Sequence, residues 1–324
     1  MADNINKITY LDNIELMPIS LGLSMRSKKE VLDRMIIDYT IASIATYAFC
    51  FQYDLIKKFL ETLDKKYNIT SIINGKEKEL IINIFNKRID SFHLEEITFR
   101  FESSYFCMWT LGLVDSVTYN KKCSVKLINE LLLNSLSYND ILNKCNLRNV
   151  NELLNYYNGL SKIIYSDIKI EKNIENIINA QDNVIRYIIL YNFNKNGLKV
   201  RYNNNNLKFE FNFPSNFKFV NGGSNALFAL KGSNDMRILA QKINQSKIQD
   251  NLKNLMKNGF DVLDVKYVRS LYIEKRIIKV NLKKDNLLVT SYYVYLNKDI
   301  LRLDFSTNKL KIDSEIIYSI KVFE

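Results

Sequence analysis

The chain has 324 residues, 47% hydrophobic and 25% charged. That is enough chain for two domains with real cores, and the composition excludes disorder, collagen and coiled coil as the main state. The net charge of +11 invites polyanionic partners, although a bias towards Asn, Ile, Lys, Tyr and Phe, the residues of AT-rich codons, weakens that signal.

Ser27-Lys28-Lys29-Glu30 has the spacing of a capping box and predicts a long helix over 28–49, apolar on most of its surface and so central in a bundle. The apolar run Met35–Phe51 is too short for a membrane span and is interrupted by Asp38. Helical periodicity continues at 52–66, 76–88, 93–113, 125–135, 138–145, 149–165 and 172–192, with local caps at Ser137 and Asn149 and a stop at Asn196-Gly197. Beyond Gly197 the period changes. Leu207–Phe213 alternates as a half-buried strand ended by Pro214, and Asn221–Asn225 reads as a turn. A helix at 247–257 should end at Asn258-Gly259. Strands follow at Val262–Ser270, Ile277–Leu282, Leu287–Leu296 and Ile300–Phe305, joined by polar loops at Lys283–Asn286 and Asn297–Asp299. Asp313-Ser314 would cap a short helix over 314–321.

The expected fold class is α followed by α+β. A helical domain spans residues 1–200, and a smaller domain with a mainly antiparallel sheet spans 201–324, with Asn203–Asn206 as a polar linker or loop. Charge divides with it. Residues 1–162 hold 20 Lys+Arg against 19 Asp+Glu, a balance of +1, and residues 163–324 hold 26 against 16, a balance of +10. The first ten residues lack a signal-peptide pattern, and the four cysteines lack CxxC spacing. Reduced thiols and a cytoplasmic setting are therefore expected.

Three stretches carry a resemblance. They are Arg26–Val31 at the start of the long helix; Phe99-Arg100-Phe101-Glu102 followed by Met108-Trp109-Thr110-Leu111-Gly112; and Leu147-Arg148 with Glu152-Leu153-Leu154. In that order and spacing they resemble a bacterial domain-of-unknown-function family, number 4272, over residues 20–195. The sequence departs from the family pattern at Asn155 and Asn158, where acids are usual, at Tyr165, where a Trp is usual, and at Ile185, where a Glu precedes Arg186. The family implies no activity. The C-terminal part, from Phe211–Pro214 to Glu315–Lys321, resembles Mog1/PsbP-like domains over 205–324, and that resemblance implies a binding module.

Little in the chain points to chemistry. His93 is the sole histidine, so histidine-based metal sites and most nucleophilic triads have no second member. No phosphate-binding glycine loop is present, and no cofactor and no metal are expected. The informative polar residues are Arg100, Glu102, Arg148 and Arg186. Arg100 should pair with Glu96 one turn earlier. Glu102 has Phe99, Tyr105 and Phe106 as helical neighbours, so it needs a partner, with Arg34, Arg148 and Arg186 as the candidates, or a raised pKa. Trp109 and Tyr105 belong to the core. Lys275, Arg276, Lys279, Lys283 and Lys284 form a basic hairpin beside Tyr292, Tyr293 and Tyr295 on the next strand. That pattern suits either a solvated edge or single-stranded nucleic acid. Three readings follow: a non-enzymatic adaptor or immunity-like module with a protein partner, acidic by charge complementarity; nucleic-acid binding by the basic domain; and an enzyme using Glu102.

Overall fold

The structure is a computed structural model that describes residues 14–15, 23–134, 137–164, 170–191, 198–204, 207–213, 217–222, 226–232, 237–244, 248–268, 277–295, 299–306, 317 and 320–323. The chain forms two compact units. One comprises Ser24–Leu160 and Ile168–Leu190; the other comprises Met1–Leu23, Ser161–Asp167 and Tyr191–Glu324.

Two short strands come first, β1 (Ile14–Glu15) and β2 (Leu23–Met25). Helix α1 (Lys28–Phe49) starts where the capping box requires: Ser27 Oγ accepts from the Glu30 N–H, and Glu30 accepts from the Ser27 N–H at 3.0 Å. It has no continuous polar stripe, and 14 of its residues are buried, so it forms the axis of the unit. Around it lie α2 (Tyr53–Tyr67), α3 (Ile69–Ile72), α4 (Gly75–Phe85), α5 (Ser91–Thr98) and α6 (Arg100–Thr110). Then come α7 (Val125–Leu133), α8 (Tyr138–Lys144), α9 (Val150–Ile164) and α10 (Lys172–Ile188).

Two helical expectations need correction. The pattern at 93–113 is two helices, because the ladder tightens at Phe99: its N–H donates to Glu96 O at 3.1 Å and its carbonyl accepts from Glu102 N at 2.9 Å. A single three-residue turn keeps the apolar face in phase, so periodicity does not register it. The pattern at 172–192 ends at Ile188, and Ile189–Tyr191 forms β3, paired with β2. Such β-branched and aromatic residues suit either state, and the available strand partner decides.

Four helix ends share one geometry. At each, the residue after the cap has positive φ, and its N–H and the next reach back to carbonyls three and five residues earlier. Gly112 after α6 and Gly259 after the sheet unit's helix are ordinary solutions. Phe51 after α1 (φ 59°) and Lys87 after α4 (φ 58°) are not, since a side chain in this conformation costs about 1–2 kcal/mol.

The sheet unit continues with β4 (Leu198–Asn204), β5 (Leu207–Phe213), β6 (Lys218–Val220), β7 (Ala226–Lys231) and β8 (Arg237–Asn244). It ends with α11 (Ile248–Lys257), β9 (Asp261–Val268), β10 (Ile277–Lys284), β11 (Leu287–Tyr295), β12 (Asp299–Ser306) and β13 (Lys321–Phe323). Eight strands form one sheet in the order β1-β9-β10-β11-β12-β8-β7-β6, antiparallel except for the β1–β9 pair. β13, β5 and β4 form a second sheet. Leu252 of α11 packs on Val280, Leu282, Tyr293 and Ile300. The fold is thus helices followed by a mainly antiparallel α+β region. Asn203 and Asn204 are ladder residues opposite Lys208 and Leu207, not a linker. Lys321, expected in a final helix, opens β13; residues 314–316 lie outside the described residues, as do Pro214 and Tyr165.

Candidate functional site

Helix α1 places Arg34 and Asp38 one turn apart, on the side that meets α4, α5 and α6. Asp38 is 1% exposed. Arg34 grips it through Nε (2.7 Å) and Nη2, and Arg34 Nη1 also reaches Glu77 at 2.6 Å. Arg100 adds a third donor to Asp38 at 3.1 Å. Burial works against the Arg34 charge, but the Asp38 and Glu77 carboxylates outweigh it and hold its pKa above the ordinary value. The expected Arg100–Glu96 pair does not form: Arg100 turns inward to an acid 62 residues away.

Arg34, Asp38 and Arg100 are part of the wall of a cleft of about 870 Å³. Its other walls come from the α4–α5 connection (Arg88, Ile89, Asp90), α5 (His93, Glu96) and one face of α10. On α10, Asn176, Asn179 and Asn183 recur at intervals of three and four residues, so their amides share a stripe ending at Tyr187. Tyr187 stands between two cations, its ring 4.3 Å from the Arg26 guanidinium and 5.7 Å from that of Arg34. His93 stands at the cleft rim with Nδ1 2.8 Å from Asp90, the N-cap of α5. His93 is exposed, and its place in the cleft wall had no local signal in the sequence.

The other candidate residues do not converge on this cleft. Glu102 lies two residues from Arg100 and so faces away from it. It is 3% exposed and makes no ion pair with Arg34, Arg148 or Arg186. Its carboxylate accepts from the Cys123 N–H at 2.8 Å. Burial raises its pKa; the Cys123 backbone and thiol contacts and Lys122 pull the other way. Arg148 closes the end of α6, donating to Trp109 O (2.8 Å), Val114 O and Asp115 O while lying 4.8 Å over the Trp109 ring. Beside it, the Asn146 N–H donates to Leu111 O, and a Cβ on Gly112 would sit 2.6 Å from Asn146 O. The second and third stretches of family resemblance therefore meet in a fold-holding contact. Arg186 pairs with Asp182 at 2.8 Å, so an acid one turn earlier stands in for the one missing at Ile185, which is buried in the core.

The basic hairpin is not one exposed face. Lys279 is buried, because β10 is flanked by β9 and β11 and its Nζ lies 5.7 Å over the Tyr292 ring. Tyr292 and Tyr293 are buried as well. Lys283 and Lys284 are exposed, and Lys284 donates to Asn258 O at 2.8 Å, at the end of α11. Lys275 and Arg276 lie outside the described residues. Sequence reasoning missed Asp38 as a charged centre; its one signal was a lone acid inside an apolar helix.

Among the described residues no group of three His, Cys, Asp or Glu side chains could hold a metal ion, and no helix is long and apolar enough to cross a membrane. None of the four cysteines is in a disulfide.

No curated protein matches the chain. Two solved structures are similar to parts of it. The cyanobacterial PsbP (CyanoP) of Synechocystis is 12% identical with a TM-score of 0.30, covering 41% of this chain and 98% of its own. A protein from Bacteroides thetaiotaomicron is 17% identical with a TM-score of 0.22, covering 36% and 45%. Similarity of that depth says nothing about function. Residues 6–163 match the family described as Domain of unknown function (DUF4272), a span that holds α1 to α8 and nearly all of α9.

Proposed function

We propose that the chain is a bacterial, cytoplasmic, non-enzymatic interaction module, adaptor or immunity-like in role, whose helical unit takes a polar segment of a partner protein into the Arg100 cleft. The observation that carries this reading is the state of the buried carboxylates. Asp38 is held by two guanidiniums, Glu77 by Arg34, Asp182 by Arg186 and Glu102 by the Cys123 N–H. Each is committed to a structural contact, whereas proton-transfer chemistry needs one aimed at a reacting group. The amides of Asn176, Asn179 and Asn183 both donate and accept, which suits the backbone of an extended segment. Arg88 and Arg100 suit acidic side chains on it. Four cysteines outside disulfides support a reducing compartment. The basic hairpin lends nucleic-acid binding little support, since its tyrosines are packed in the sheet rather than open for stacking.

The test is capture from host lysate by the purified chain and by Asn183→Arg, which crowds the cleft from an exposed position. A defined protein that survives nuclease and moderate salt, and is lost with Asn183→Arg, is the expected result. A captured set indifferent to the substitution, or nucleic acid alone, released by salt, overturns the reading.

A further inference from the structure

We infer that the tip made by the α1–α2 turn and the end of α4 docks on an anionic lipid surface. This goes beyond the cleft and does not depend on it. Phe51 is 85% exposed; Phe49 and Leu55, close to it in the chain, and Phe85 at the end of α4 are exposed too. The two chain segments meet through Lys87, whose Nζ lies 4.7 Å over the Tyr53 ring.

The backbone singles out the same place. Among the described residues, six have positive φ. Asn68, Asp285, Gly112 and Gly259 are types that tolerate it. Phe51 and Lys87 are the two that do not, and both stand at this tip. Glycine would satisfy each helix end with less strain, as it does after α6 and α11. Holding a strained phenylalanine out in water serves neither the helix nor the core.

Charge decides the occupant. Residues 49–58 and 82–88 carry Lys57, Lys58, Lys87 and Arg88, all exposed, against the single acid Asp54. Aromatic side chains on a protruding turn, ringed by cations, suit the boundary between headgroup and acyl chain. The rings enter it, and the lysines stay at the level of the lipid phosphates. An acidic protein would need a groove to receive the protruding ring.

The test is co-sedimentation with vesicles of phosphatidylcholine alone and of phosphatidylcholine mixed with phosphatidylserine. The native chain should sediment with the mixed vesicles only. Phe51→Gly, which also relieves the backbone, should lower that partition about tenfold, the loss of one buried aromatic side chain. Lys57→Gln with Lys58→Gln should lower it about thirtyfold, about fivefold per cation. Circular dichroism shows that each variant is folded. Absence of sedimentation overturns the proposal. So does sedimentation that Phe51→Gly leaves unchanged, because a chain of net charge +11 attracts phosphatidylserine without any docking site. Binding of polyglutamate that needs Phe51 and Lys57, with none to vesicles, would assign the tip to an acidic protein instead and overturn it as well.

Discussion

Asp38 and Glu102 are both buried carboxylates in the helical unit, and the fold treats them differently. Asp38 sits between two guanidiniums, with Glu77 completing a four-member charge network drawn from α1, α4 and α6. Glu102, on the opposite side of α6, has a backbone N–H and a thiol in the segment that follows α6. One carboxylate is answered by full charges in hydrogen-bonded contact, the other by dipoles and the field of Lys122. Burial therefore raises the Glu102 pKa, while on the other side the acids hold Arg34 firmly charged. The lesson is that depth alone does not make an acid reactive; what surrounds it does.

The sharpest way to break that contrast is Asp38→Ala. It leaves two partly buried guanidiniums without their shared acid and should cost about 3–5 kcal/mol in urea unfolding. A loss below about 1 kcal/mol would mean that the network is solvent-screened after all. Next is Glu102→Ala, which orphans the Cys123 N–H. It should cost about 1–3 kcal/mol, with hydrogen exchange at Cys123 accelerating more than at the α1 axis. Phe51→Gly should raise stability by about 1 kcal/mol in the same assay, because it removes strain without removing a packed contact. The smallest effect is the pH dependence. The folded pKa of Glu102 lies above its ordinary value of 4.5. The unfolded chain therefore ionises first, and the stability carried by the protonated form is complete below the unfolded pKa and lost as pH rises through the folded one. Glu102→Gln keeps an acceptor for Cys123 and removes that loss. Its advantage over the native chain should widen from acid to neutral pH, and a difference that stays flat across that range would refute the assignment.

Much of the fold was legible because its signals are local. The Ser27–Glu30 box and the Asn258-Gly259 stop each act within one turn, and both stand where the residues say. The strand alternation from Val262 to Phe305 was equally plain. Signals that depend on distant partners were not. Asp38 read as an interruption of an apolar run, since nothing near it announces Arg100, 62 residues on. Glu102 was recognisable as a buried acid from Phe99, Tyr105 and Phe106, but a backbone N–H leaves no mark in a sequence, so its partner was not. Lys279 read as surface because lysine usually is. Only the order of strands, with β9 and β11 on either side, makes its position interior. Phe51 escaped notice because the rule for helix ends expects glycine there.

The chain first enters and finally leaves the helical unit beside the same ribbon. β2 pairs with β3, and the Arg26 N–H and Nε donate to Ile188 O (3.0 Å) and Tyr187 O (2.8 Å). A unit whose entrance and exit are neighbours can be spliced as a cassette, because its host chain needs to open at one point only. Residues 24–190 moved between two loop ends of another protein should thus keep their helical content, whereas cutting at Leu160 would strip α10, and with it the asparagine wall, from the rest.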